Sequence, residues 1–304
     1  MKREVVYLAS MPPHLPYLTV SLMTLREHWQ GRVRVFAWSE SIDLVREIAK
    51  DERLGIVAEL SEPAYRARRD ERRQGKNDQF LHKVRLMQTI SDADLVLYLD
   101  ADTSVHGDLM PLFRAAQKHT FVATRFSSWT TAGKVVRTRI KRLRELSKID
   151  RNCIEEVLRL PWPSVNGGVF CCSPRSHVLK TWEHWTWEAR HVFIADEAVL
   201  HVLQPLFVPS GQMLVWPDGR YNCSCNPKWL PEKMGEHEVV IWHYHGDSAV
   251  RPSKHNGYAF RRWWPLWEKC LAENYGNCRE WSPCRANGWL GNKWMEELER
   301  KSRD

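Results

Sequence analysis

Apolar and polar positions along the chain alternate between two periods. "EVVYLA" (residues 4–9), "RVRVFAW" (32–38) and "GIVAEL" (55–60) are runs of β-branched, aromatic and aliphatic side chains of strand length. The stretches around 18–30 and 41–51 instead space their apolar residues as one face of a helix does. A further helix is predicted from about Phe80 to Ile90, after which "SDAD" leads into the apolar run "LVLYL" (95–99). This βαβα order predicts an α/β fold with a mixed, mostly parallel central sheet flanked by helices. In such sheets ligands bind beyond the carboxyl ends of the strands.

That edge carries the first candidate chemistry. "YLDADTSV" ends the fourth apolar run with Asp100 and Asp102 on either side of Ala101. Side chains at i and i+2 of an extended chain share a face, so two carboxylates there repel each other unless a cation lies between them. A hard divalent ion such as Mg²⁺ or Mn²⁺ suits oxygen ligands and leaves positions for phosphate oxygens. The plain alternative is a strand that ends in an acidic turn.

Composition narrows the setting. With 304 residues, 43% of them hydrophobic, the chain is long enough for one large α/β domain or two ordinary ones. The opening "MKREVVYLASMPPH" lacks the apolar h-region of a secretory signal. The most apolar later window, 198–216, is interrupted by His201, Gln204, Pro205 and Pro209, so no transmembrane segment is expected. Eight cysteines without an export signal point to a reducing, cytoplasmic setting. "CSC" at 223–225 with Cys270, Cys278 and Cys284 supplies thiols for a zinc ion but lacks the CxxC spacing that zinc sites favour.

The net charge of +8 is concentrated in two blocks, residues 66–76 with six basic and two acidic side chains and residues 134–148 with seven and one. Such blocks are either solvated faces or attractors for a polyanion: nucleic acid, an anionic membrane surface or a phosphorylated glycan. Twelve of the 16 tryptophans lie after residue 180, which gives the second half a different character.

Five separated motifs, "LASMPPHLPYLTVSL", "HKVRLMQTISDADLVLYLDADTSV", "SVNGGVF", "ADEAVLHVL" and "WHYHGDSAVRP", carry a resemblance that runs from about residue 5 to residue 252. Together they resemble the metal-dependent glycosyltransferases of the GT-A fold (the nucleotide-diphospho-sugar transferase fold). Within these they are similar to the family-eight type, which includes glycogenin and the bacterial lipopolysaccharide galactosyltransferases. The resemblance implies a nucleotide-sugar donor, with UDP as the default although Met11-Pro12 stands where the family often has acidic residues. It implies that Ala9, Ser10 and His14 meet the nucleobase, His14 by stacking, and that Lys83 and Ala101 contact the donor. Asn166 would hydrogen-bond the donor sugar while Gly167, with Gly168 after it, lets the backbone approach.

By the same resemblance, Asp100, Asp102 and His243 hold the metal, and Gly246 packs on the diphosphate. Arg251 or Lys254 would neutralise the departing phosphate. Asp196 would hold the donor sugar. Glu197 would stand beside the reacting carbon, where the family often has glutamine. A carboxylate there can stabilise an oxocarbenium ion, form a transient covalent adduct or act as general base; the first two retain configuration and the third inverts it. Family likeness favours retention.

The expected organisation is a GT-A domain over 1–255, with a nucleotide-binding half to about 110 and an acceptor-facing half from 111. A Trp/Cys-rich extension would follow over 256–304. For the acceptor, the basic blocks and tryptophans fit DNA, for example a hydroxylated base, or a lipopolysaccharide or other anionic glycan reached at a membrane surface. The competing classes are a non-catalytic basic nucleic-acid-binding protein and a two-metal nucleotidyltransferase or phosphatase; the latter leaves the His-x-x-Gly segment without a role.

Overall fold

The computed structural model describes residues 1–63, 78–125, 134–146, 148–226, 235–245 and 257–281. The strands in these residues are β1 Arg3–Ala9, β2 Arg32–Ala37, β3 Ile56–Leu60, β4 Leu95–Leu99, β5 Thr103–Val105, β6 Phe121–Arg125, β7 Val165–Cys172, β8 Met213–Val215, β9 Cys223–Ser224 and β10 Ile241–His243. The helices used below are α1 Leu15–His28, α2 Ile42–Ala49, α3 Asp78–Thr89, α4 Met110–His119, α5 Lys134–Leu143, α6 Arg151–Arg159, α7 His177–Glu188, α8 Ala195–Val202, α9 Gln204–Phe207 and α10 Tyr258–Glu273.

Seven strands make the central sheet, in the order β3-β2-β1-β4-β7-β6-β8. β7 alone among them runs antiparallel to its neighbours, which makes the sheet mixed but mostly parallel, as expected. Both faces are covered, and alternate residues of each strand go to opposite cores. Val6, Leu8, Val96 and Tyr98 join one apolar cluster with α3, α5, α6, α7 and α8. Val5, Tyr7, Leu97 and Leu99 join the other with α1, α2 and α4. Burial on both sides explains why these strands read as continuous apolar runs and not as alternations.

The connections leave β1 toward β2 on one side and return to β4 on the other, so the switch point lies between β1 and β4. The carboxyl ends of β1 and β4 and the amino end of antiparallel β7 therefore meet at one edge. A second, three-stranded sheet of order β5-β10-β9 lies beside that edge. Its strands are two or three residues long, yet it aligns His243 with Thr103 on one side and with Ser224 on the other.

α1 is buried along Leu15–Leu25 because it is sandwiched. Leu15, Leu18 and Leu22 face the central sheet. Tyr17, Val20 and Met23 face a third cluster built from Cys223, Cys225 and Trp242 of the small sheet's region and Trp263, Trp267 and Cys270 of α10. Much of the tryptophan and cysteine richness of the second half is thus core. The described cysteines are all free thiols. No set of three of them gathers as a metal site among the described residues, and Cys284 lies outside these. No helix of the described residues is long and apolar enough to cross a membrane.

Candidate active site

The chain leaves β4 at Leu99, and Asp100 is pinned at once: its backbone N–H donates to Gly168 O of β7 at 2.7 Å. Two residues on, Asp102 O accepts from Tyr244 N at 2.9 Å, which ties the acidic turn to the end of β10. The small sheet thereby delivers His243 to the carboxylates. Its Nε2 lies 3.3 Å from Asp102 Oδ1 and 3.8 Å from Asp100 Oδ2. One ligand atom from each of the three residues fits within 4.8 Å of the others.

The histidine is held in one orientation. Asn222 donates through Nδ2 to Thr124 Oγ1 at 2.9 Å and to Asn166 Oδ1 at 3.2 Å. Thr124 spends its own hydroxyl hydrogen on Val169 O at 2.6 Å. The amide oxygen of Asn222 therefore faces His243, accepting from Nδ1–H at 2.8 Å. With Nδ1 committed, Nε2 is the nitrogen that faces the carboxylates. Burial pulls the His243 imidazolium down, but Asp102 and Asp100 outweigh it and raise its pKa above the ordinary value. Burial, with Asp102 next to it, also raises Asp100 in spite of Lys83 and His243. Tyr98 Oη donates to Asp100 Oδ1 at 2.9 Å and fixes that carboxylate from below.

The glycines behind the trio make room for it. A Cβ on Gly168 would stand 2.4 Å from His243 Cε1 and 2.6 Å from Asp100 Oδ2. A Cβ on Gly167 would meet Asp196 Oδ2 at 3.0 Å and Lys83 Nζ at 3.2 Å. The clustered carboxylates, the anchored imidazole and the missing Cβ are the donor set and the space a divalent ion needs.

Beside the trio, Lys83 of α3 and Asp196 of α8 form a buried ion pair, Nζ to Oδ2 2.8 Å. Burial alone would lower Lys83, yet Asp100 and Asp196 hold it above the usual lysine range, so the ammonium stays charged. Asp196 Oδ1 is buried and has no protein partner. The first turn of α8 is fastened from two sides: Trp182 Nε1 donates to Asp196 O at 2.8 Å, and His201 Nδ1 donates to Glu197 O at 2.8 Å. Val165 N donates to His201 Nε2, which fixes that tautomer. Ile194 enters the helix at φ 52°, a left-handed backbone that β-branched residues rarely adopt. Burial is the largest influence on Glu197, pushing it up to about 7, with Arg139 opposing.

These groups line one cleft of about 530 Å³. Ser10, His14, Lys83, Ala101, Asn166, Gly167, Asp196 and Glu197 all open onto it together with the trio. Ser10 Oγ lies 3.4 Å from His14 Nδ1. Ala9 is fully buried in β1 and turned into the core beneath the cleft. Gly246, Arg251 and Lys254 lie outside the described residues. The His245 ring lies tilted against that of His243, centroids 4.1 Å apart, but His245 is not one of the trio. Sequence reasoning missed Asn222, Tyr98 and Arg139. No motif marks Asn222, and Arg139 was one of seven basic residues in a block read as a surface.

No protein-family model matches the sequence, and neither does any curated protein. Solved structures do match. Galactosyltransferase LgtC, in complex with donor and acceptor sugar analogues, is 18% identical with a TM-score of 0.59, covering 88% of this chain and 95% of its own. Mouse xyloside xylosyltransferase 1 is 12% identical with a TM-score of 0.56, covering 82% of this chain and 99% of its own. The Streptococcus pneumoniae glycosyltransferase GlyE is 15% identical with a TM-score of 0.51, covering 90% of this chain and 64% of its own. At such identities the likeness is one of fold, and the chain has the GT-A fold that these glycosyltransferases, LgtC of the family-eight type among them, share.

Proposed function

We propose that this protein is a metal-dependent glycosyltransferase that moves a sugar from a nucleotide-sugar donor to an acceptor hydroxyl. The observation that carries the reading is the convergence of Asp100, Asp102 and His243 at the switch point, with His243 Nε2 aimed at the carboxylates by Asn222. Mn²⁺ or Mg²⁺ held by those three residues would offset the charge on the departing diphosphate.

The chain's own side chains supply the rest. Ser10, just past β1, and His14, in the turn that leads into α1, are assigned to the nucleobase, with UDP the expected carrier. Asp196 Oδ1, buried and unpartnered in the protein, is suited to accept a hydrogen bond from a sugar hydroxyl. Asn166 has its oxygen occupied by Gly168 N and Asn222, so its Nδ2 is the group left to donate. Glu197 is assigned to the reacting carbon. It serves as carboxylate toward a developing cation, as nucleophile, or as base toward the acceptor; the resemblance of the sequence motifs to the family-eight type favours retention.

The acceptor is proposed to be anionic, a hydroxylated base in DNA or a lipopolysaccharide-type glycan, because Lys141 and Arg142 of α5 are exposed on the helix that borders the cleft. We read residues 1–255 as the transferase domain, 256–304 as its extension and the cytoplasm as its place of work, with Lys141 and Arg142 available to an anionic membrane; the basic block at 66–76 lies outside the described residues. A non-catalytic nucleic-acid-binding protein would leave the trio and its Asn222 anchor without a task. A thermal-shift panel of nucleotide sugars with and without Mn²⁺ tests the proposal: one donor should raise the melting temperature only with metal. No metal-dependent shift with any donor would refute it.

A further inference from the structure

The basic residues of α5 and the turn after it do not all go the same way. Lys141 and Arg142 are exposed. Arg144 and Lys148 pair at the surface with Glu155 and Glu188, at 2.6 and 3.0 Å. Arg139 turns inward: its side chain is 15% exposed, its guanidinium sits 5.0 Å from the centre of the Phe193 ring, and it lines the cleft. Its Nη1 lies 3.7 Å from Glu197 Oε2.

We propose that Arg139 is a positioning residue: its guanidinium, steadied on the Phe193 ring, orients the Glu197 carboxylate within the cleft through their ion pair. The significance of that carboxylate for turnover rests on the transferase reading above, but the relationship between the two residues does not.

The charged groups facing Glu197 are Arg139 from α5, Lys83 from α3, His243 from β10 and Asp196 on its own helix. Lys83 is committed to Asp196 at 2.8 Å, and His243 to the Asp100–Asp102 pair. Asp196 repels. Arg139 is the cation whose ion-pair partner is Glu197, and it is the strongest influence opposing burial there. At 3.7 Å the contact is longer than a hydrogen bond, so it acts through charge. A lysine keeps the charge but not the fork or its flat packing on Phe193.

Glutamate labelled with ¹³C at the side-chain carboxyl, incorporated into the full chain, reads this directly. The Glu197 resonance is identified by its loss in Glu197→Gln and followed from about pH 5 to 9 in wild type, Arg139→Met and Arg139→Lys. The Met variant should raise the Glu197 midpoint by about one pH unit or more, and Lys should restore most of the difference. Mn²⁺ affinity measured without nucleotide should be unchanged in both, because the ion pair of Arg139 is with Glu197 and not with the trio. Where turnover is measured, the acid limb of kcat should move upward by the same amount in Arg139→Met. A Glu197 midpoint identical in wild type and Arg139→Met overturns the proposal; a midpoint that moves while the acid limb of kcat stays in place refutes the assignment of Glu197 to the reacting carbon and leaves the link between the two residues standing. If the midpoint moves but wild type binds no nucleotide sugar, the transferase reading falls and the Arg139–Glu197 link stands.

Discussion

His243 Nδ1 donates to Asn222 Oδ1 across 2.8 Å, and this one bond decides which nitrogen the imidazole turns toward Asp100 and Asp102. Asn222 is itself held by Thr124 and Asn166, so the orientation is set from β6 and β7 through the amide to the ring. Such outer partners of a metal-binding histidine are typically worth about 10- to 100-fold in metal affinity. Asn222→Ala should therefore weaken Mn²⁺ binding by roughly that factor while circular dichroism stays native. Titration calorimetry with Mn²⁺ and UDP checks it; unchanged affinity would remove Asn222 from the site.

Gly168→Ala tests the space. The added Cβ would collide with His243 Cε1 and Asp100 Oδ2, which are side-chain atoms, so the chain can fold by pushing them aside. We expect a stability cost of about 1–3 kcal/mol and loss of metal-dependent nucleotide binding. Gly167→Ala meets its neighbours at 3.0 Å and beyond and should be milder. Chemical denaturation and nucleotide binding, measured side by side, separate the two effects.

Lys83 and Asp196 form a buried pair, and breaking one side strands the other charge. Lys83→Met should destabilise the fold by about 3 kcal/mol or more. The double variant Lys83→Met, Asp196→Leu should recover most of that stability yet bind no donor sugar. A urea denaturation cycle over the four proteins measures the coupling.

His201 is buried, and desolvation lowers its pKa to about 4. Between that value and the ordinary histidine range the unfolded chain binds a proton that the folded chain does not, so stability rises with pH there. The contribution is complete above the unfolded pKa of about 6.5 and is lost as pH falls toward about 4. It amounts to about 3 kcal/mol. A His201→Gln variant should show a flatter stability curve through this acid window, measured by denaturation at stepped pH.

The sheet was legible because its central strands are covered on both faces: Val5–Ala9 of β1 and all of β4 are apolar, and the boundaries of β1, β2 and β4 in the sequence fall within a residue or two of those in the structure. Asp100 and Asp102 were legible as two charges placed where an apolar run stops. The small sheet was not, because β9 and β10 are too short to leave a period. Asn222 sits just before β9 and acts on His243, 21 residues away, through a tertiary contact that no local pattern announces. Arg139 was hidden for a different reason: as one of seven basic residues in its block, it is told from a solvated side chain only by its packing against Phe193 and Glu197.

The central claim is that Asp100, Asp102 and His243 jointly bind one divalent ion that a nucleotide diphosphate then shares. Its most direct measurement is calorimetric titration of UDP into wild type and Asp102→Asn, each with Mn²⁺ and with chelator, alongside melting curves of both proteins. The account predicts metal-dependent binding in wild type, none in Asp102→Asn, and the same folded baseline for each. Equal, metal-independent binding in the two proteins would contradict it.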